Sequence, residues 1–203
     1  VIEAYNEEFN DKDISLPTWL REGAPLGILN EIDSHGIFPQ AATTESDPGR
    51  LWEIASSPIG WENYRSADSD AEICDELLAS MVSSDWAQCA ETWEELLSIA
   101  GSQDITLIKL ALISKLMPDG TMKHRLIWDL KRSGVNGFVS QGERIVLPRP
   151  LHLAQDALDL GKYLEPGEDF WLFGLDVSDA FHQIPLKKNE WKFTAVSFRG
   201  KFY

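Results

Sequence analysis

Two carboxylates three residues apart close an apolar run in this chain. The segment WLFGLDVSDAFHQIP, residues 171–185, places Asp176 directly after FWLFGL and Asp179 one turn further on. An aspartate at the end of an apolar strand is costly unless it is solvated, paired or bound to a cation. Carboxylate and backbone carbonyl oxygens are the hard ligands that magnesium takes. Two divalent ions about 4 Å apart can stabilise the attacking and leaving oxygens of a phosphoryl transfer. Beyond that, the chemistry asks a protein for positioning and charge neutralisation. Asp176 is the stronger ligand, with the Val177 carbonyl next to it in sequence. Asp179 has a competing role as the N-cap of a short turn over residues 180–183. Taken alone, a D-x-x-D pair favours that structural role.

Such a site must be held by regular elements. Residues 171–175 read as a buried strand delivering Asp176. Upstream, residues 105–117 (ITLIKLALISKLM) are apolar and β-branched, a strand or a pair of short strands. Pro118-Asp119-Gly120-Thr121 is a turn, because proline presets one dihedral and glycine supplies a positive one. Residues 122–130 return as a second strand. The hairpin carries Lys115, Lys123, His124 and Arg125 near its tip. Residues 131–149 read as loop. Residues 150–160 read as a helix with proline in its first turn and Leu151, Ala154 and Leu158 on one face. Residues 191–198 and 201 onward read as another hairpin around Arg199-Gly200. This order of elements is α+β.

The first half has a different character. Residues 68–100 read as helical, with Ile73, Leu77, Leu78 and Met81 at helical spacing and Trp86, Trp93, Leu96 and Leu97 continuing the stripe. Asp68 or Asp70 is placed to cap the first helix. Residues 1–66 hold turn formers throughout, Pro48, Pro58 and Gly60 among them, and read as loop with short helices and no chemistry.

Bulk properties bound the function. With 43% apolar residues the chain can pack a core, which excludes wholesale disorder. No apolar run reaches the roughly 18 residues that span a bilayer. The acidic start has no signal-peptide pattern, which points to an intracellular protein, in cytoplasm or nucleus. Cys74 and Cys89 lack metal-ligand spacing and read as buried free thiols in a reducing compartment. Net charge is −15, but residues 1–100 hold 4 Lys/Arg against 21 Asp/Glu, and residues 101–203 hold 14 against 12. Contacts with a polyanion are therefore expected in the second half. The acidic half would repel nucleic acid and is expected to face solvent or a protein partner. The chain starts at Val1 and stops inside an apparent strand, as a piece of a longer polypeptide would.

Three blocks occur in an order that resembles reverse transcriptases, in particular those of long-terminal-repeat and related retrotransposons. PDGTMKHRLIWDLKRSGVN, residues 118–136, is similar to the fingers hairpin and following strand, with Arg125, Asp129, Lys131 and Asn136 at the characteristic places. Lys131 stands where that family usually has arginine. IVLPRPLHL, residues 145–153, resembles the Leu-Pro-Arg run before the palm helix. LDVSDAFHQIPL, residues 175–186, followed by WKFTAVSF, resembles the first catalytic motif and the strand after it. The resemblance covers residues 105–203.

What it implies is a partial right-hand polymerase fold: an acidic extension over residues 1–100, helical at 68–100, then fingers and an incomplete palm over residues 101–203. The implied activity is RNA-directed DNA polymerisation by two-metal phosphoryl transfer with Mg2+ or Mn2+. Partners would be an RNA or DNA template-primer and deoxynucleoside triphosphates. Asp176 would bind both ions and the Val177 carbonyl would add a ligand. Asp179 and Ala180 would lie under the incoming triphosphate and offer backbone N–H groups. Phe181 would sit against the sugar and exclude a ribose 2′-hydroxyl. Its plain alternative is core packing. Arg125, with Lys123 assisting, would contact the triphosphate, where a guanidinium fork fits phosphate well. Lys187, Lys188 and Lys192 would meet template or primer phosphates, or else form an ordinary charged turn. Asp129 reads as the structural partner of a cation, and His182 as a surface or packing residue. The family's other metal carboxylates would lie beyond Tyr203, so residues 1–203 alone are expected to be inactive. The alternative is a non-catalytic retroelement remnant that binds protein or nucleic acid.

Overall fold

The computed structural model describes residues 2–41 and 62–203. Pro48, Pro58 and Gly60 fall outside the described residues. The chain is mixed α and β, built on a four-stranded sheet of order β2-β1-β3-β4. Strand β1 is Leu107–Leu116 and β2 is Met122–Asp129. They pair antiparallel in continuous register from Lys109↔Asp129 to Leu116↔Met122. The turn between them is closed by Gly120 at φ +83 and by the Asp119 carboxylate, which accepts from the Thr121 N–H and hydroxyl. Those bonds hold the Asp119 carboxyl below its ordinary pKa.

The third strand, β3 (Ala195–Phe198), runs parallel to β1 through Leu107↔Ala195 and Ile108↔Val196. It turns at Arg199 and Gly200, both at positive φ, into the short antiparallel β4 (Lys201–Phe202). Two positive dihedrals in succession give the turn a twist that matches a two-residue hairpin. Residues 191–193, read as strand, instead end a 3-10 helix over Lys188–Phe193. Its buried side chains are Glu190 and Phe193, whose burial replaces strand alternation.

Beyond Ile108 the edge of β1 is matched by residues 63–66 rather than by β3. Asn63 accepts from the Leu110 N–H at 2.9 Å and donates to the Ser197 carbonyl at 2.7 Å, so one side chain bridges two strands. Tyr64 N donates to the Leu110 carbonyl, and the Ser66 hydroxyl accepts from Leu112 N.

Helices from the acidic half cover the sheet. After α1 (Ile2–Phe9) and α2 (Leu16–Glu22) come α3 (Arg65–Ser69), α4 (Ala71–Ser83) and α5 (Trp93–Ala100). Cys74 and Leu78 of α4 are fully buried with Ile108, Leu110 and Val196 in the main core. Burying a leucine of this kind stabilises by about 2 kcal/mol. A second cluster joins Ala90, Leu96 and Ala100 to Ile105 and Ala195. Asp70 occupies the N-cap position of α4, but its side chain makes no cap hydrogen bond. The working cap is at α5, where Thr92 accepts from Glu95 N and Gly101 closes the C-terminus at φ +63. Both thiols are free; Cys74 is buried and Cys89 half-buried. No helix among the described residues is long and apolar enough to cross a membrane.

Helix α6 (Pro150–Gly161) forms where its proline and periodicity place it, yet none of its residues is buried. Leu151, Leu153, Leu158 and Leu160 are all exposed. The expected apolar face exists, and nothing among the described residues covers it.

Candidate functional site

The hairpin positions its cations by strand alternation. Lys115 lies directly across from Lys123, and Arg125 follows two residues on, so all three project from one face. His124 is on the opposite face, where its Nδ1 meets the Ser114 hydroxyl at 2.8 Å. Like charges directly opposed across two strands destabilise a hairpin unless an anion sits between them. Lys115, Lys123 and Arg125 are exposed, and none of them takes part in an ion pair among the described residues. Asp119, the acid at the tip, is turned to Thr121. This arrangement presents a positive, unneutralised surface to solvent.

Asp129, at the base of the same hairpin, is expected from the sequence to partner a cation; its side-chain partner is instead a phenol. Its carboxylate accepts from the Tyr64 hydroxyl at 2.5 Å and from Arg132 N at 2.9 Å. The Tyr64 bond, then the backbone N–H, holds the Asp129 carboxyl below its ordinary pKa, with the Arg132 charge adding to this. The same bond raises the Tyr64 phenol.

The motif around Asp176 departs from its expected setting. Residues 171–175 are not a buried strand. Trp171 is 88% exposed, Phe173 84% and Leu175 86%. Among the described residues no backbone group of residues 169–177 finds a hydrogen-bond partner. The physical reason is the sheet itself. The β1 edge away from β2 is taken by β3 and then by residues 63–66, so this segment does not join the sheet there. Asp176 consequently stands in solvent, and the Val177 carbonyl is on an exposed residue.

Asp179 sits at the head of a 3-10 turn, Ala180–His182, with φ +50 and no side-chain cap. Its carbonyl accepts from His182 N at 2.8 Å. The N–H groups of Asp179 and Ala180 have no acceptor among the described residues. Phe181 is 96% exposed and packs against no core residue among the described residues. His182 stacks on Trp86 at 4.5 Å between ring centroids, which ties the turn to the loop after α4. Lys188 lies over the Trp191 ring and Lys192 over Phe193, while Lys187 borders a cleft with α2.

Asp176 and the Val177 carbonyl suit magnesium by type but not by number. Among the described residues no group of three or more His, Cys, Asp or Glu could hold a metal ion. One carboxylate and one carbonyl leave most of an octahedral shell unfilled. Among the described residues these two groups alone do not make up a metal shell.

Sequence reading passed over a cleft of about 390 Å3 away from the motif, lined in part by Trp19, Asp33, His35 and Lys187. Its wall holds Ser15, whose Oγ lies 2.6 Å from His35 Nε2. Nucleophilic catalysis needs the base to be oriented by a third group, and among the described residues none holds His35 Nδ1. The pair fastens the start of α2 to the loop at residue 35. No family model matches the chain, and neither curated proteins nor solved structures yield a match.

Exposure of residues 171–175 has a direct test. The paired changes Trp171→Ser and Phe173→Ser are expected to alter the unfolding free energy of the 203-residue chain by no more than about 0.5 kcal/mol each. If these aromatics were packed, the loss would be about 3–5 kcal/mol each. Urea denaturation followed by far-ultraviolet circular dichroism distinguishes the two.

Proposed function

We propose that this chain is the fingers and the opening part of the palm of an RNA-directed DNA polymerase, with an acidic helical extension in front. The observation that carries the reading is the ordered series of three motif blocks ending in LDVSDAFHQIPL. The hairpin supports it, because it sets Lys115, Lys123 and Arg125 on one exposed face fit to receive phosphate oxygens.

In this reading the hairpin grips the triphosphate or the polynucleotide backbone. Phe181, held clear of the core, meets the sugar. The N–H groups of Asp179 and Ala180 receive phosphate. Asp176 contributes one carboxylate to a two-ion centre whose other carboxylates come from outside the described residues. Magnesium bound there would neutralise the developing charge on the transferred phosphoryl group. The exposed apolar side chains of residues 171–175 support this division, because monomers rarely leave a large apolar patch open. Primer extension by the coding sequence read onward from Tyr203 tests the reading, with Asp176→Asn as the discriminating variant.

A further inference from the structure

The acidic half contributes more than a cover for the sheet. Residues 23–41 form a strap that grips the chain at two places, residues 140–144 and residues 185–190. These are the two roots of the exposed stretch 145–181, the arm that carries α6, Asp176 and Phe181.

Each root is held in the same manner, by backbone pairing plus one carboxylate. At the far root, Ala24 N donates to the Pro185 carbonyl at 2.7 Å and Lys187 N returns to the Ala24 carbonyl at 2.9 Å. Glu190, 2% exposed, accepts from Leu26 N, from Ile28 N at 3.2 Å and from Leu29 N at 3.1 Å. At the near root, Ser140 N donates to the Gly27 carbonyl and Ile32 N to the Ser140 carbonyl. Arg144 N donates to the Pro39 carbonyl and Ala41 N to the Gly142 carbonyl. Glu143 accepts from Gly36 N and from Phe38 N at 3.0 Å.

Close approach is built in at both ends. A Cβ on Gly23 would lie 2.5 Å from the Leu186 backbone, and one on Gly27 2.7 Å from the Ser140 carbonyl oxygen, with both glycines at positive φ. Each carboxylate gathers several N–H groups of the strap, and hydrogen bonds to a charged acceptor are the stronger kind. The two carboxylates therefore decide whether the strap stays down.

We infer that residues 23–41 are a latch that holds the two roots of the arm side by side, with Glu190 and Glu143 as its clips. Releasing the latch frees the arm while the sheet stays folded. The buried centre of the sheet core is built from β1, β3 and the helices packed on them, and of the strap only Leu26 and Ile28 pack, partly buried, against it. The latch rests on these contacts and not on the polymerase reading, so either can fail without the other.

Hydrogen exchange of the 203-residue chain, wild type against Glu190→Gln, tests it. The amide replaces one acceptor oxygen by a donor facing backbone N–H groups. Exchange is expected to rise about tenfold or more at Leu26, Ile28 and Leu29 and, together with them, at Ile32, Ser140 and Arg144 of the other root, while Leu110, Leu112 and Val196 keep their protection. Should Glu190→Gln fail to fold, Glu143→Gln on the half-buried clip and Gly27→Ala serve in its place, with the same joint release expected. Release confined to the substituted root would overturn the latch. So would loss of protection across the sheet in every variant, which would make the strap an inseparable part of the core.

Discussion

Removing Lys115, Lys123 and Arg125 together, each to alanine, is expected to weaken binding of a single-stranded oligonucleotide by this chain on the order of 30-fold at low salt, and to lower the slope of log affinity against log salt by about 2. The reasoning is electrostatic. With a net charge of −15, the chain has no long-range attraction for a polyanion. Any affinity must come from a local cluster with acids turned away. The hairpin is such a cluster: Lys115 faces Lys123 across the ladder and Arg125 extends the same face. Its neighbour Asp119 is bonded to Thr121 and Asp129 to Tyr64. Because these contacts would be made to phosphate, the loss should be similar for DNA and RNA and for different sequences. A control variant lacking Lys12, Arg65 and Lys162 changes net charge equally and should leave the slope nearly intact. Fluorescence anisotropy across a salt series measures both. Equal losses in the two triple variants would show a general charge effect and no hairpin site.

The second large effect concerns sugar selection. Under the proposed function, in a longer chain that supplies the remaining carboxylates, Phe181→Val should lower discrimination against ribonucleotides on the order of 100-fold, read as the ratio of kcat/KM for a deoxynucleotide and its ribonucleotide. The ring is 96% exposed and makes no core contact, so its removal should cost no more than about 0.5 kcal/mol of stability. This separates selection from folding. If the ring served packing, truncation would lower stability and leave the nucleotide ratio unchanged. A buried neighbour such as Phe193 would behave that way.

The parts of the fold visible in the sequence are those encoded locally. The β1–β2 hairpin follows from alternation and from the Pro-Asp-Gly turn, whose dihedrals and side-chain bonds lie within four residues. Helices α4 and α5 follow from their apolar stripes, although the helical reading of 68–100 is broken after Ser83 and resumes at Trp93, with Trp86 in the intervening loop, and α6 follows from proline at its start. Residues 171–175 failed for an instructive reason: apolar composition encodes a demand for burial, not the identity of what buries it. With the β1 edge occupied by residues 63–66, the demand goes unmet among the described residues.

The strap was invisible for a different reason. Glu190 and Leu26 are 164 residues apart, and the bonds between them run to backbone N–H groups that every residue type shares. Asn63 is similar, since an asparagine spanning two strands has no periodic signature. The charge division between the halves was real in the counts but incomplete as a guide to packing. Asp75 reaches Arg199 at 2.5 Å and Glu91 reaches Lys201 at 2.7 Å. Exposed pairs of this kind add little stability, yet they show acidic residues meeting the cations of the second half as well as solvent. Of the candidate site, strand register fixes the relation of Lys123 to Arg125. The placement of Asp176 against them depends on whatever covers residues 171–175.

We propose that Asp176 belongs to a polymerase centre completed from beyond these residues. Its most direct test is magnesium-dependent primer extension on an RNA template by the coding sequence read onward from Tyr203, with residues 1–203 alone and Asp176→Asn as comparisons. Extension by the continued chain is expected, none by residues 1–203, and a loss of at least about 1,000-fold on Asp176→Asn, the scale of several kcal/mol of metal-borne stabilisation. A natural stop after Tyr203, extension by residues 1–203 alone, or extension that survives Asp176→Asn would contradict it.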